Sequence, residues 1–263
     1  MKNSSIKIAI LLCFLPFASF SQGKYGLHYG IILGWYAAGN SESQMYNCST
    51  STDVNLSQIL NNTTNYSKLQ EYYNDDFTLY ELPQNIKYKP TISVAGTLQL
   101  SNEDETFGIF LHASYLSPSI KNSNFSIKLL SKSTNYSDNV IEQGVISAKE
   151  NRFNFSLGIH KLFRNDWTCK PYIEAALEGT FLEMKSHEIS IGNLTQSVLY
   201  YSQSDANTNY SKFGYGASLS AGLKIPLVKT HSVFIGGSLT AMHFGITNDT
   251  FSYAKAINCY IWL

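Results

Sequence analysis

The feature that most constrains this chain is a period of two that sorts its side chains by size. Residues 24–36, KYGLHYGIILGWY, set Tyr25, Leu27, Tyr29, Ile31, Leu33 and Trp35 on one face and Gly26, His28, Gly30, Ile32, Gly34 and Tyr36 on the other. Successive side chains of a β-strand point to opposite faces, so this alternation belongs to a strand and not to a helix. A face made mostly of glycine is too thin to fill the core of a soluble sandwich. The large side chains therefore need an apolar environment outside the sheet.

The pattern returns seven times, at 88–100, 107–115, 152–160, 171–181, 212–225, 233–243 and 253–263, giving eight strands. In RFNFSLGIH, for example, Phe153, Phe155, Leu157 and Ile159 oppose Arg152, Asn154, Ser156, Gly158 and His160. Connections alternate in length. SNEDET, KLFRNDWTCK and PLVKTHS are short, 38–86, 117–150 and 182–210 are long and polar, and the last, near 246–251, is short. Lipid leaves no water to satisfy backbone amides, so a strand protein that spans it must close on itself. Thirteen residues tilted by about 40° rise on the order of 33 Å, enough to cross the apolar band. The expected fold is all-β: an eight-stranded antiparallel transmembrane β-barrel with long extracellular loops and short periplasmic turns. A soluble lipocalin-like barrel is the competing architecture, and it would put its apolar face inside. Tyr25, Trp35, Tyr88, Phe107, Tyr115, Phe181 and Trp262 fall near strand ends, where aromatic girdles are expected.

Only 14% of residues are charged, against roughly 25% in soluble domains. The 19 basic and 19 acidic residues balance, which argues against a nucleic-acid partner. Residues 1–21 combine Lys2 and Lys7 with the apolar run IAILLCFLPFASF and small residues at Ser19 and Ser21, the pattern of a secretory signal cleaved near Ser21/Gln22. The mature barrel would then be 22–263. Cys48, Cys169 and Cys259 are odd in number and show no metal spacing, so they read as isolated structural thiols. The carboxylates of YYNDDF and NEDET lack the spacing of a calcium loop. No metal or cofactor is assigned.

A signal peptide, eight alternating strands, three long loops on one side and a last strand ending YIWL together resemble the small outer-membrane β-barrel proteins of the PorT-like and OmpX-like group. The resemblance covers nearly all of the mature chain. It implies a bacterial outer-membrane location, contact with outer-membrane lipid and lipopolysaccharide, and a non-enzymatic envelope or surface role, such as adhesion or secretion and assembly with another envelope protein. Long loops rich in Asn, Ser, Thr and Tyr suit adaptable recognition. The alternative is an enzyme. His112 and Ser114 form a His-x-Ser pair similar to that of outer-membrane lipid A deacylases, and a histidine beside a serine can activate its hydroxyl. Parity points both inward, away from lipid, and no nearby acidic residue orients the histidine.

Parity also places Arg152, Glu174, Glu178 and Lys212 inside, as a polar network. If the strands at 152–160 and 171–181 pair symmetrically about Asn165, Arg152 faces Glu178 and Ser156 faces Glu174. Lys212 then joins Glu178, making a plug near the extracellular end.

Overall fold

The computed structural model describes residues 25–39, 43, 46–48, 55–84, 86–121, 123–130, 140–163, 168–198, 211–228, 231–243 and 252–262. The signal segment 1–21 and its cleavage site lie outside them. Eleven strands are present among the described residues: β1 (Tyr25–Ala37), β2 (Phe77–Glu81), β3 (Thr91–Asn102), β4 (Phe107–Leu116), β5 (Ser123–Leu129), β6 (Ile141–Leu162), β7 (Lys170–Ile191), β8 (Leu194–Ser197), β9 (Ser211–Val228), β10 (His231–His243) and β11 (Ser252–Trp262). Two helices, α1 (Leu56–Leu60) and α2 (Thr63–Tyr73), precede β2.

Eight of the strands form a closed antiparallel ring in the order β1-β3-β4-β6-β7-β9-β10-β11. The β6–β7 pairing and the β1–β11 pairing complete it. Each of these eight overlaps one of the alternating sequence segments, and the segment at 88–100 begins three residues before β3. On the outer wall, Tyr115, Phe153, Phe181 and Phe213 are register neighbours across four strands, and each is about half exposed. They form one arc of an aromatic girdle. Elsewhere on the outer wall Leu27, Leu33, Leu157, Leu177 and Leu219 are exposed as well, an apolar band that water would not tolerate on a monomer. Tyr88 departs from the expected girdle: it is buried, beside the lumen mouth. The side chains of Tyr25 and Trp262 lie outside the described residues.

Inside the ring, glycines act as sockets for large side chains from neighbouring strands. A Cβ on Gly236 would come within 2.3 Å of the Tyr172 hydroxyl oxygen. The thin inner face of one strand thus accommodates the bulk of another.

The long connections are not structureless, as the alternation of the barrel strands alone suggests. β6 and β7 run 22 residues each, far past the girdle. Their outer halves join β2, β5 and β8 in an open sheet of order β2-β5-β6-β7-β8. One face of that sheet buries Phe77, Phe125, Ile127, Ile146, Ile189 and Ile191 against Leu56, Ile59 and Leu60 of α1 and Leu69 and Tyr73 of α2. The helices start where Asn55 and Asn62 accept hydrogen bonds from the amides of Ser57 and Thr64, as N-cap residues do. α2 ends at Asn74 in the left-handed conformation, φ 50°. The result is a folded cap with its own hydrophobic core, seated on the barrel end opposite the short turns.

A β-bulge marks the junction. Lys149 pairs with Ser186 but Glu150 pairs with Met184, which leaves Lys185 as the extra residue. Just below the bulge β7 buries Thr180, Leu182 and Met184, and above it His187, Ile189 and Ile191. One inserted residue changes the parity of β7 where the barrel gives way to the cap.

Candidate functional site at the neck and in the lumen

Arg152 and Glu150 sit two apart on β6, so they share its inner face. Both are only 1% exposed, and Arg152 Nε meets Glu150 Oε1 at 2.5 Å. Three tyrosines enclose the pair. Arg152 Nη1 and Nη2 donate to the hydroxyls of Tyr36 and Tyr88, both at 3.2 Å. Tyr88 in turn donates to Glu150 Oε2 at 3.2 Å, and the Tyr46 hydroxyl donates to the same oxygen. The guanidinium also lies 5.2 Å from the centre of the Tyr88 ring, within cation–π range. A buried ion pair with its hydrogen-bonding capacity met in this way escapes most of the penalty of an isolated buried charge. Burial, the neighbouring Tyr88 and the Glu150 carboxylate hold the Tyr46 hydroxyl protonated well above the ordinary tyrosine range.

The neck network continues into the cap core. The Tyr46 ring stands edge-on to His187 at 5.1 Å, and Cys48 Sγ lies 3.5 Å from His187 Nε2. Burial pushes the His187 pKa down to about 4 and the Cys48 thiol up to about 12.

Deeper in the lumen, Glu178 accepts from Ser156 Oγ at 2.6 Å and, on its other oxygen, from Ser218 Oγ. Next comes a layer in which His160 Nδ1 meets Glu174 Oε1 at 3.1 Å, with Tyr172 stacked on the imidazole and Phe234 edge-on to it. His160 and Tyr172 are each 1% exposed. At the turn end, Glu105 in the β3–β4 turn reaches across to Lys224 of β9, at 2.6 Å, and Lys224 lies over the Phe234 ring. Burial works against the Glu105 carboxylate, but the Lys224 hydrogen bond and charge outweigh it and lower its pKa.

Arg152, Glu174 and Glu178 all face inward, but not in the expected arrangement. β6 and β7 pair about residue 167 rather than Asn165: Ser156 faces Glu178, His160 faces Glu174, and Arg152 faces Leu182. The ladder extends past Leu162 to a bond from the Phe163 amide to the Pro171 carbonyl, which moves the turn along the chain and each pairing by four residues. An even shift keeps every side chain on its face. Lys212 pairs with Leu182 and Glu178 with Gly216, so the lysine is not at the height of Glu178. Glu150, the partner Arg152 does have, lies just before the alternating segment 152–160. A Glu-x-Arg spacing on a strand is itself a same-face signal.

His112 and Ser114 face the lumen and line a polar cavity of about 90 Å³ together with Glu174, Glu178, Ser156 and Ser218. The His112 ring stacks on Phe110 at 4.1 Å. The pair is thus enclosed by the barrel wall, on the side away from any lipid ester.

The closed ladder, apolar outer wall and polar interior define an eight-stranded transmembrane β-barrel. No protein-family model and no curated protein matches the sequence. Among solved structures the chain is similar to Neisserial surface protein A (NspA), with a TM-score of 0.47 and 6% identity over 92% of this chain and 99% of that one. It is also similar to Ail, the attachment invasion locus protein of Yersinia pestis (0.33, 10%, covering 90% and 98%), and to the outer membrane protein OprG from Pseudomonas aeruginosa (0.36, 8%, covering 92% and 96%).

Proposed function

We propose that this chain is a non-enzymatic surface protein of the bacterial outer membrane, an OmpX-like or PorT-like barrel. Its extracellular cap would engage a partner, either another envelope protein or an external ligand, while the wall contacts lipid and lipopolysaccharide. One observation carries this reading. Inward-facing side chains fill the lumen at two levels, Arg152 with Glu150 at the neck and His160 with Tyr172 further down, all about 1% exposed, whereas the cap is an ordered structure outside the lipid band. A filled lumen conducts nothing, so the work falls to the cap and the wall.

The test has two parts. The protein should fractionate with outer membranes and migrate faster on unheated than on heated gels, and purified barrels in planar bilayers should show no stable conductance. Recovery as a soluble periplasmic protein, or steady channels, would overturn the reading. For the enzyme alternative, Ser114→Ala should leave the acyl composition of lipid A unchanged by mass spectrometry.

A further inference from the structure

A groove of about 730 Å³ crosses the outer wall where β6, β7, β9 and β10 run side by side. Its shape follows from side-chain size. Register sets Ile159, Ala175 and Leu219 in one row and Ile173, Ala221 and Gly237 in the next, so small residues lie between large ones that are half exposed or more. Glu174, Ser220 and Ser238 border the groove too, but strand parity turns their side chains to the lumen.

Lys161 also lines the groove, beside Ile173 in register. From the Phe153 girdle down it is the one lysine, arginine or carboxylate on the outward faces of β4, β6, β7, β9 and β10 among the described residues, and it is exposed. It has no ion pair among those residues. A cation on a lipid-facing wall is costly at mid-membrane and tolerated near the interface. Lys161 lies eight residues below Phe153 on β6, roughly 20 Å lower along the barrel axis at about 3.3 Å per residue and a tilt of about 40°. In an apolar band about 25 Å tall that is close to the interface on the side of the short turns. Phe107, its register partner, and Phe163, two residues on, are both nearly half exposed and mark a second aromatic level there. A lysine at that height extends its ammonium to the phosphate layer.

We propose that this groove holds one anionic phospholipid of the turn-side leaflet, its acyl chain in the groove and its phosphate paired with the Lys161 ammonium. The proposal rests on the outer-membrane reading with the cap outside. Three features select this occupant. The wall faces hydrocarbon, and an apolar groove with a single charged group is the usual form of a ligand site. Lys161 supplies a cation where phosphates lie. The groove reaches the turn end of the wall, whereas lipopolysaccharide occupies the leaflet on the cap side. A chain lying in a groove meets more wall atoms than one against a convex surface, which turns passing contact into a site.

Purified full-length barrel in mild detergent, given equal amounts of phosphatidylglycerol and phosphatidylethanolamine, should retain one phosphatidylglycerol by native mass spectrometry. Lys161→Gln should lower that retention roughly fivefold, the factor equivalent to about 1 kcal/mol per basic residue at an anionic surface. Ala221→Leu, which fills the groove from an outward position, should release the lipid. Both positions face outward, so neither variant should change the heat-modifiable gel shift, which reports the barrel separately. Retention of both lipids without preference, retention undiminished in Ala221→Leu, lipopolysaccharide held in place of phospholipid when both are offered, or a second copy of the chain on this wall would each overturn the proposal while the outer-membrane reading stands. Recovery as a soluble periplasmic protein would overturn both.

Discussion

The barrel and the cap are built partly from the same two strands, yet they are inside-out with respect to each other. In the barrel, β6 shows Phe153, Phe155 and Leu157 to the outside and hides Arg152, Ser156 and His160. In the cap, the same strand buries Ile146 and Ala148 and exposes Lys149. One apolar face meets lipid, and the other meets α1 and α2. A strand that crosses from hydrocarbon into water must exchange its inner and outer chemistry at the boundary. Here the exchange coincides with the Glu150–Arg152 pair and the bulge at Lys185. The lesson is that alternation alone shows where a strand lies, whereas the sign of the alternation shows which medium surrounds it.

If the neck joins two differently solvated halves, the largest effect should come from breaking it. Glu150→Ala leaves Arg152 buried without its carboxylate and should cost about 3–5 kcal/mol, seen as a lower temperature for loss of the compact gel form. Glu71→Ala, at an exposed carboxylate on α2, should leave that temperature unchanged. Next in size, Ile59→Ala opens a cavity in the cap core and should cost about 2–5 kcal/mol, but only in the cap: protease sensitivity should rise there while heat-modifiability persists. Loss of both together would mean that barrel and cap form one cooperative unit.

A smaller effect follows from pH. His187 has a folded pKa near 4 against an ordinary 6.5, because burial disfavours the imidazolium. The unfolded cap therefore binds more protons across that window, so cap stability should fall as pH drops from about 6.5 towards 4. His187→Gln should flatten this dependence, and the barrel's gel transition should follow it less steeply than cap proteolysis does. The smallest effect concerns thiols. Cys48, with its pKa near 12, should resist alkylation at pH 8 in the folded protein, whereas the partly exposed Cys169 should react.

The barrel was legible because lipid enforces strict period-two sorting on every strand, as in Phe107, Ile109, Leu111 and Tyr115 of β4. The cap was not, because its strands β2 and β8 are five and four residues long, too short for alternation to stand out. Its helices carry their apolar residues in a mainly polar stretch, LSQILNNTTNYSKLQEYY. A signal was present: Leu56, Ile59 and Leu60, then Leu69 and Tyr73, recur at helical spacing behind Asn55 and Asn62. Interior parity could be read for Arg152, Glu174 and Glu178, but register could not, since it depends on where the β6–β7 turn falls.

The long connections contribute a packed cap with its own core. Amide hydrogen exchange on lipid-reconstituted protein tests this directly. The α2 amides of residues 67–73, hydrogen-bonded and packed on the cap sheet, are expected to exchange many-fold more slowly than an unstructured peptide of the same sequence. Exchange of that segment at the unstructured rate, with the barrel strands still protected, would contradict it.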